Sequence, residues 1–362
     1  MPRRAVIALA CLTMLACQQN ATGYVIAAAG PWKQGYGQMN RLGIELAVDE
    51  INASGGIDGH KLGVIYRDDE GDGETAAKIA QEFVANLNIS AVVGHVNSGA
   101  MVAAARIYDG QLAALATTAT SPDLTGVSPW VFRVISSDSA NGIDLARFAA
   151  KLGAQRAAIL YENNAYGRGL TDAFRRSFPG EIISIDPITD AADQTFEPFV
   201  SFYKLRSPEI VFVAGTEASG MALLREAKRQ SLNARFLGGD GWTGIVADTA
   251  AAEGAYVGAP FTDADTRQEV RRFVQAFLVR NQRLPDGNAA LAYDATMVIA
   301  RALAKQGASR ARVREFLAGL GTRTALAGVT GPIAFHTNGD PIGKSFVMTR
   351  VRHGALVPES QK

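Results

Sequence analysis

Residues 91–99, AVVGHVNSG, and residues 112–124, LAALATTATSPDL, decide the fold. Each begins as a short apolar run, Ala91 to Val93 and Leu112 to Ala116, and breaks into a loop of small hydroxyl-bearing residues. Apolar runs of this length between turn signals read as buried strands. In a doubly wound α/β sheet, ligands sit beyond the carboxyl ends of the strands, so Ser98 and Thr118 to Thr120 are placed to converge on one small molecule. A helical pattern follows Ser98 directly, and its free N–H groups favour an anion such as a carboxylate. Ser and Thr also serve as plain N-caps and turn residues, and either loop alone is open to that reading.

Outward from these loops, strand and helix alternate. Tyr24 to Ala29 reads as a strand, and Ile44, Ala47, Val48 and Ile51 recur at helical spacing until Gly55 and Gly56 stop them. Lys61 to Arg67 reads as a strand, and Ala76, Ile79, Ala80, Phe83, Val84 and Leu87 form an amphipathic face. Further strands are expected near Ala157 to Tyr161, Ile182 to Ile185, Ile210 to Ala214 and Phe236 to Gly238, with helices between. This pattern predicts parallel sheets covered on both faces. From Thr266 to Leu320 three helices succeed one another. From Gly331 to Val357 the chain alternates around HTNGDP as a β-hairpin or meander, with Asn338 and Gly339 supplying the turn. A helical insert followed by late strands implies that the chain crosses between two lobes more than once.

At 362 residues the chain has room for two cores. The formal net charge of +1 and the lack of a basic tract exclude a phosphate-gripping surface, so no nucleic-acid partner is expected. The N-terminus is a separate object. Arg3 and Arg4 precede an apolar stretch, Ala5 to Ala16, too short to span a bilayer, and small Ala16 precedes Cys17. This reads as a secretion signal, within residues 1–21. Its MLAC ending resembles a bacterial lipoprotein box with Cys17 as the lipidated residue, although Met14 stands where Leu is usual. Cleavage near Ala16 or Ala21 is the alternative. Cys11 lies inside the signal, so no disulfide or thiolate metal site is expected after Cys17.

Catalytic motifs are missing. The four histidines, His60, His95, His336 and His353, have no metal-ligand spacing. The GYGQMNRLG stretch misplaces the third Gly of a dinucleotide loop, and there is neither a G-x-S-x-G elbow nor a Walker A sequence. Asp68, Asp69 and Glu70 read as a solvated loop. No enzyme, cofactor or metal is expected.

The series GPWKQGYGQMNRLGIELAVDEINASGGIDGHKL (30–62), YRDDEGD (66–72), AVVGHVNSG, TTATSPDLT (117–125), NNAYGRGL (163–170) and FLGGDGW (236–242) resembles the periplasmic leucine/isoleucine/valine-binding receptors of ABC transporters. The resemblance runs from about Tyr24 to Val351. It implies the type I periplasmic binding protein fold: α/β, with two doubly wound Rossmann-like lobes joined by a three-segment hinge. One lobe would take residues 22–137 and 262–329, the other 138–261 and 330–362, with crossings near Ser136 to Ser139, Gly258 to Thr262 and Gly328 to Ile333.

The resemblance also implies site residues. Ser98 would hold a ligand carboxylate, Thr120 would contact carboxylate and ammonium, and the Thr118 backbone would contribute. Asp240 would pair with an α-ammonium, and Tyr36 and Tyr166 would line the cleft from opposite lobes. Departures are visible. Thr216 stands where a Tyr is common, Gly71 and Asn97 stand where some members carry a disulfide, and Trp32 and Trp242 are unusually large. Either Trp would narrow the side-chain pocket or pack in a core. The implied function is an extracytoplasmic receptor, a monomer held at the membrane through its lipid anchor, that delivers an amino acid or related small carboxylate to an ABC permease. The alternative is a lipoprotein of the same fold that regulates a cell-wall synthase; an enzyme on this fold comes third.

Overall fold

The computed structural model describes residues 23–189 and 195–359. The signal segment and Cys17 lie outside the described residues. The first half alternates strictly: β1 (Tyr24–Gly30), α1 (Gly35–Ala53), β2 (Leu62–Asp68), α2 (Gly73–Ala85), β3 (Ile89–Val93), α3 (Ser98–Tyr108), β4 (Ala114–Ala116) and β5 (Val131–Arg133). These strands form a parallel sheet in the order β2-β1-β3-β4-β5. Alternation begins again with α4 (Asp138–Lys151), β6 (Arg156–Glu162), α5 (Ala165–Ser177), β7 (Glu181–Ile188), α6 (Glu197–Arg206), β8 (Ile210–Ala214), α7 (Glu217–Arg229), β9 (Arg235–Gly238), the short α8 (Thr249–Ala252) and β10 (Tyr256–Ala259). Three helices follow, α9 (Gln268–Asn281), α10 (Gly287–Gln306) and α11 (Arg310–Ala318). After them come β11 (Leu326–Gly328), β12 (Gly331–Ile333), β13 (Val347–Arg352) and β14 (Ala355–Pro358). The second sheet runs β14-β13-β10-β9-β8-β6-β7, with β13 and β14 antiparallel at one edge.

The central strands of both sheets are buried on both faces, which explains the apolar runs Ala91 to Val93 in β3 and Ile210 to Ala214 in β8. Successive side chains serve opposite layers, as a pleated strand requires. Ile26 and Ala28 face one core of the first sheet while Ala27 and Ala29 face the other. In the second sheet Phe212 stacks on Phe174 with ring centroids 4.0 Å apart, while Val211 and Val213 pack on the opposite side. The helical insert closes the first lobe. Helix α1 lies so near α10 that a Cβ on Gly43 would stand 2.1 Å from the carbonyl oxygen of Ala289.

In each sheet the strand order reverses once, between β1 and β3 and between β6 and β8. Crevices open at such reversals, beyond the carboxyl ends of the strands. The chain passes to the second sheet after Arg133, returns after Ala259, and passes again between Ile333 and Val347. Around the last passage, residues 334–341 lean on β5: the N–H of Arg133 donates to Gly339 O, and the Arg133 guanidinium pairs with Asp340.

Two expectations need correction. Leu87 lies beyond the end of α2 and is 86% exposed, because the helix stops at Ala85. Asn338 and Gly339 do form a turn, bridged by Phe335 and Pro341, but it is not the turn of the terminal hairpin. That hairpin, β13 with β14, reverses at His353 and Gly354, both at positive φ, the pair of conformations a two-residue turn needs. Strands β5 and β10, three and four residues long, carry too little pattern for sequence reading to have found them.

Candidate functional site

The loops at the carboxyl ends of both parallel sheets meet around one cavity, enclosing about 690 Å³ with its mouth. That size suits a small molecule. From the first lobe come Tyr36, Val96, Asn97, Ser98 and Thr118, and from the second Asn164, Tyr166, Thr216, Glu217, Asp240 and Thr243. Asn288 enters from the first turn of α10.

On the first-lobe wall, α3 starts at Ser98 after an N-cap, Asn97, whose side chain does not cap it. The first backbone N–H to reach back is that of Met101, to Asn97 O, so the N–H groups of Ser98, Gly99 and Ala100 have no partner within the helix. The Ser98 hydroxyl oxygen accepts from the N–H groups of Thr120 and Ser121, each at 3.1 Å. One side chain therefore pins the loop after β4 to the start of α3 and keeps its own hydrogen free to donate. The Thr118 hydroxyl donates to Val96 O at 3.0 Å. Positive helix-end charge, three N–H groups and a hydroxyl make this wall a seat for an anion.

The second-lobe wall has the opposite sign. Asp240 follows β9 and is 9% exposed; the Tyr166 hydroxyl donates to its Oδ1 at 3.1 Å and accepts from the N–H of Gly241 at 3.2 Å. Burial pushes the Asp240 carboxyl up to about 7, against the pull of the Tyr166 hydroxyl. Behind it Asp138, at the start of α4, is fully buried, and neither of its carboxyl oxygens finds a hydrogen-bond partner. Burial and the neighbouring Asp240 hold Asp138 protonated well above the usual carboxylate range. The pair thus offers the cavity one ionisable face, at Asp240.

Of the residues that sequence reading selected, Ser98, Thr118, Tyr36, Tyr166, Asp240 and Thr216 line the cavity together. Tyr36 and Tyr166 face it from opposite lobes, and the Tyr36 hydroxyl accepts from Asn97 Nδ2 at 2.8 Å. Thr120 is not brought to the wall. It is wholly buried behind it, its carbonyl accepting from Arg133 Nη1 and from the N–H of Asp138. The two tryptophans are corrected to core residues. Trp32 turns inward, edge-on to Tyr66 and over Gly30, because the chain doubles back there to enter α1. Trp242 is fully buried against Gly220 and Gly238, whose missing side chains make its room. Gly71 and Asn97, read as filling the places of a disulfide, do face each other: a Cβ on Gly71 would lie 3.4 Å from Asn97 Oδ1.

Several functional positions escaped sequence reading. Glu162, at the end of β6, accepts from the N–H and hydroxyl of Thr216 and from the Ser219 hydroxyl through Oε1, and from Asn164 through Oε2. It thereby fixes the loop that carries Glu217. The Asn288 amide donates to Asp286 at 3.0 Å and, across the cleft, to the Thr243 hydroxyl at 3.3 Å. Strand-end position alone would have drawn attention to Glu162 and Glu217, whose neighbour Thr216 was reached through the family resemblance. Asn288 lies in the helical insert, and no sequence signal marks it. His95, read as structural or surface, is structural: it is fully buried, with Nδ1 2.6 Å from Asp69 and Nε2 2.9 Å from the Tyr108 hydroxyl.

Comparison with known proteins gives the family and the fold. A family model described as periplasmic binding protein matches residues 22–355. The leucine-, isoleucine-, valine-, threonine- and alanine-binding protein of Pseudomonas aeruginosa is 32% identical over 325 residues, covering 86% of this chain and 84% of its own. Among solved structures, an ABC transporter substrate-binding protein from Desulfitobacterium hafniense in complex with Leu has a TM-score of 0.80 at 32% identity, covering 93% of this chain and 100% of that one. A branched-chain amino acid transporter substrate-binding protein from Streptococcus pneumoniae in complex with isoleucine has a TM-score of 0.86 at 26% identity, with the same coverage.

Proposed function

The chain belongs to the periplasmic binding protein family, and from that premise we propose that it is the receptor of an ABC transporter that encloses an α-amino acid between its lobes. The observation that carries this reading is the opposed pair of walls, an open α3 N-terminus with Ser98 on one side and Asp240 with Tyr166 on the other. An α-amino acid presents a carboxylate and an ammonium on one carbon, and so satisfies both walls at once. The first-lobe N–H groups and the Ser98 hydroxyl hold the carboxylate; Asp240 holds the ammonium, with Tyr166 fixing the carboxylate's orientation. Thr120 acts from behind, its backbone carrying the loop that Ser98 grips.

No covalent step is part of this function. Ligand binding favours the closed arrangement of two lobes, residues 22–137 with 262–329 and 138–261 with 330–362, and the closed form engages the permease. Among the described residues no helix is long and apolar enough to cross a membrane. Attachment is assigned to a lipid on Cys17, and the working form to a monomer in the periplasm. The polarised, enclosed cavity has no role in a purely regulatory cell-wall lipoprotein.

Calorimetry on the mature protein tests the reading with three ligand classes: α-amino acids, their amides, and the matching α-hydroxy acids. Loss of either charge is expected to weaken binding by roughly 1.5–3 kcal/mol, the range for hydrogen bonds to charged groups. Equal affinity for an acid and its amide would remove the anion seat; equal affinity for amino and hydroxy acids would remove Asp240.

A further inference from the structure

The half of the cavity that faces the ligand side chain is not an aliphatic pocket. Beyond the two walls that take carboxylate and ammonium, it is lined by Asn97, Asn164, Thr216, Glu217, Thr243 and Asn288. Most of these are satisfied within the protein: Asn164 caps α5 and donates to Glu162, Thr216 donates to Glu162, and Thr243 and Asn288 bond to each other. Two are not. Asn97 uses one of its two amide hydrogens on Tyr36, and its Oδ1 is buried with no hydrogen-bond partner. Glu217 lines the cavity, and its carboxylate makes no hydrogen bond or ion pair with any described residue. Each of the two thus carries an unanswered acceptor.

Glu217 is also placed to meet a ligand. It opens α7 in the second lobe, yet its carboxylate reaches the first: a Cβ on Gly35, the first residue of α1, would stand 2.6 Å from Glu217 Oε1. Oε2 lies against Gly244 on the other side, where no side chain would fit. Two glycines thus leave the room this carboxylate occupies. None of the residues lining the cavity is Lys, Arg or His. Glu217 also lines an adjoining hollow with Gly35, Gly244 and Arg283; the Arg283 charge acts on it, but burial and Asp286 outweigh that pull, so the carboxyl is held above its ordinary range.

We infer that the bound amino acid carries a positively charged, hydrogen-bond-donating side chain, recognised by Glu217 and by the Oδ1 of Asn97. The inference rests on the amino-acid reading above and adds the class of side chain. An α-amino acid's own ammonium is answered by Asp240, which leaves Glu217 as an uncompensated charge. An aliphatic side chain would strip water from that charge, leave Asn97 Oδ1 unpaired and return nothing, an arrangement that costs free energy. An ammonium or guanidinium group supplies the missing donors and the missing charge together. Glu217 and Asn97 are on this view the residues that set specificity.

Calorimetry with ornithine, lysine, arginine, glutamine, leucine and benzoate, all offered to the mature protein, decides the matter. At least one of the three cationic amino acids is expected to bind tenfold or more tighter than both leucine and glutamine. Glu217→Gln is expected to reduce the ratio of cationic to glutamine affinity at least tenfold. The ligand-free variant should melt no lower than the parent, since the change removes a poorly solvated charge and breaks no bond. Asn97→Leu, which removes the second acceptor, should reduce the same ratio. Leucine binding tighter than every cationic ligand would overturn the inference, as would glutamine matching them or a ratio that survives both substitutions. Binding of benzoate with no amino acid bound would overturn the amino-acid reading itself, and the inference with it.

Discussion

The Asp240 carboxyl, held up to about 7 by burial, makes ligand affinity depend on pH in the range where a zwitterionic amino acid does not change its own charge. The ammonium needs the ionised carboxylate. Below about 7 the ligand-free protein holds a proton at Asp240, so binding must expel it and affinity falls. If the bound form stays ionised, the dissociation constant rises by the factor (1 + 10^(7 − pH)), and from pH 7.5 to pH 5.5 that is about 25-fold, or about 2 kcal/mol. The ligand-free fold responds in the opposite direction. Its raised pKa means that the folded chain binds the proton more tightly than the unfolded one, so this group's contribution to stability falls as pH rises from the ordinary carboxylate range to about 7. Calorimetry in buffers of different ionisation heat reads the released proton directly. Asp240→Asn should weaken binding and flatten the profile together. A dissociation constant that is flat from pH 5.5 to 7.5 in the parent, with no proton released, would refute the claim that Asp240 faces the ammonium.

Other outcomes follow from the same geometry. Ser98→Ala removes the acceptor of two buried N–H groups as well as a donor to the ligand. It should lower ligand-free stability by about 1–3 kcal/mol and weaken binding by a similar amount, seen in denaturant melts and calorimetry respectively. Trp32→Ala truncates a core side chain beside Tyr66 rather than opening the ligand pocket. It should cost about 3–5 kcal/mol of stability while leaving the order of ligand preference unchanged. Gly43→Ala places a Cβ 2.1 Å from the Ala289 carbonyl oxygen and must push α1 from α10. A loss of about 1–3 kcal/mol is expected, read as a lower melting temperature.

What the sequence disclosed, and what it hid, divides along physical lines. Parallel strands buried on both faces leave apolar runs that are legible without a structure, as at β3 and β8. The loops beyond them must hold the ligand, so Ser98, Thr118, Thr216 and Asp240 were within reach of strand-end reasoning and the family resemblance. Orientation was not. Thr120 and Ser98 are similar residues in similar loops, yet Ser98 lines the cavity while Thr120 is buried behind it, its N–H donating to the Ser98 hydroxyl. Trp32 follows a strand as Tyr36 does, and only the path of the turn into α1 sends it inward. Asn288 is brought to the site by the packing of α10 on α1, a contact between residues more than two hundred positions apart.

Away from the chain crossings, the hydrogen bond between Asn288 and the Thr243 hydroxyl joins the two walls directly, and at 3.3 Å it is a long one. The fraction of time that the empty receptor spends shut depends in part on this clasp. Measured affinity is then the intrinsic affinity of the shut form multiplied by the fraction of molecules in it, and a fraction of about one tenth would cost a factor of ten. Affinity can therefore be tuned at Asn288 and Thr243 through how often the receptor shuts when empty, apart from any contact those residues make with what it carries.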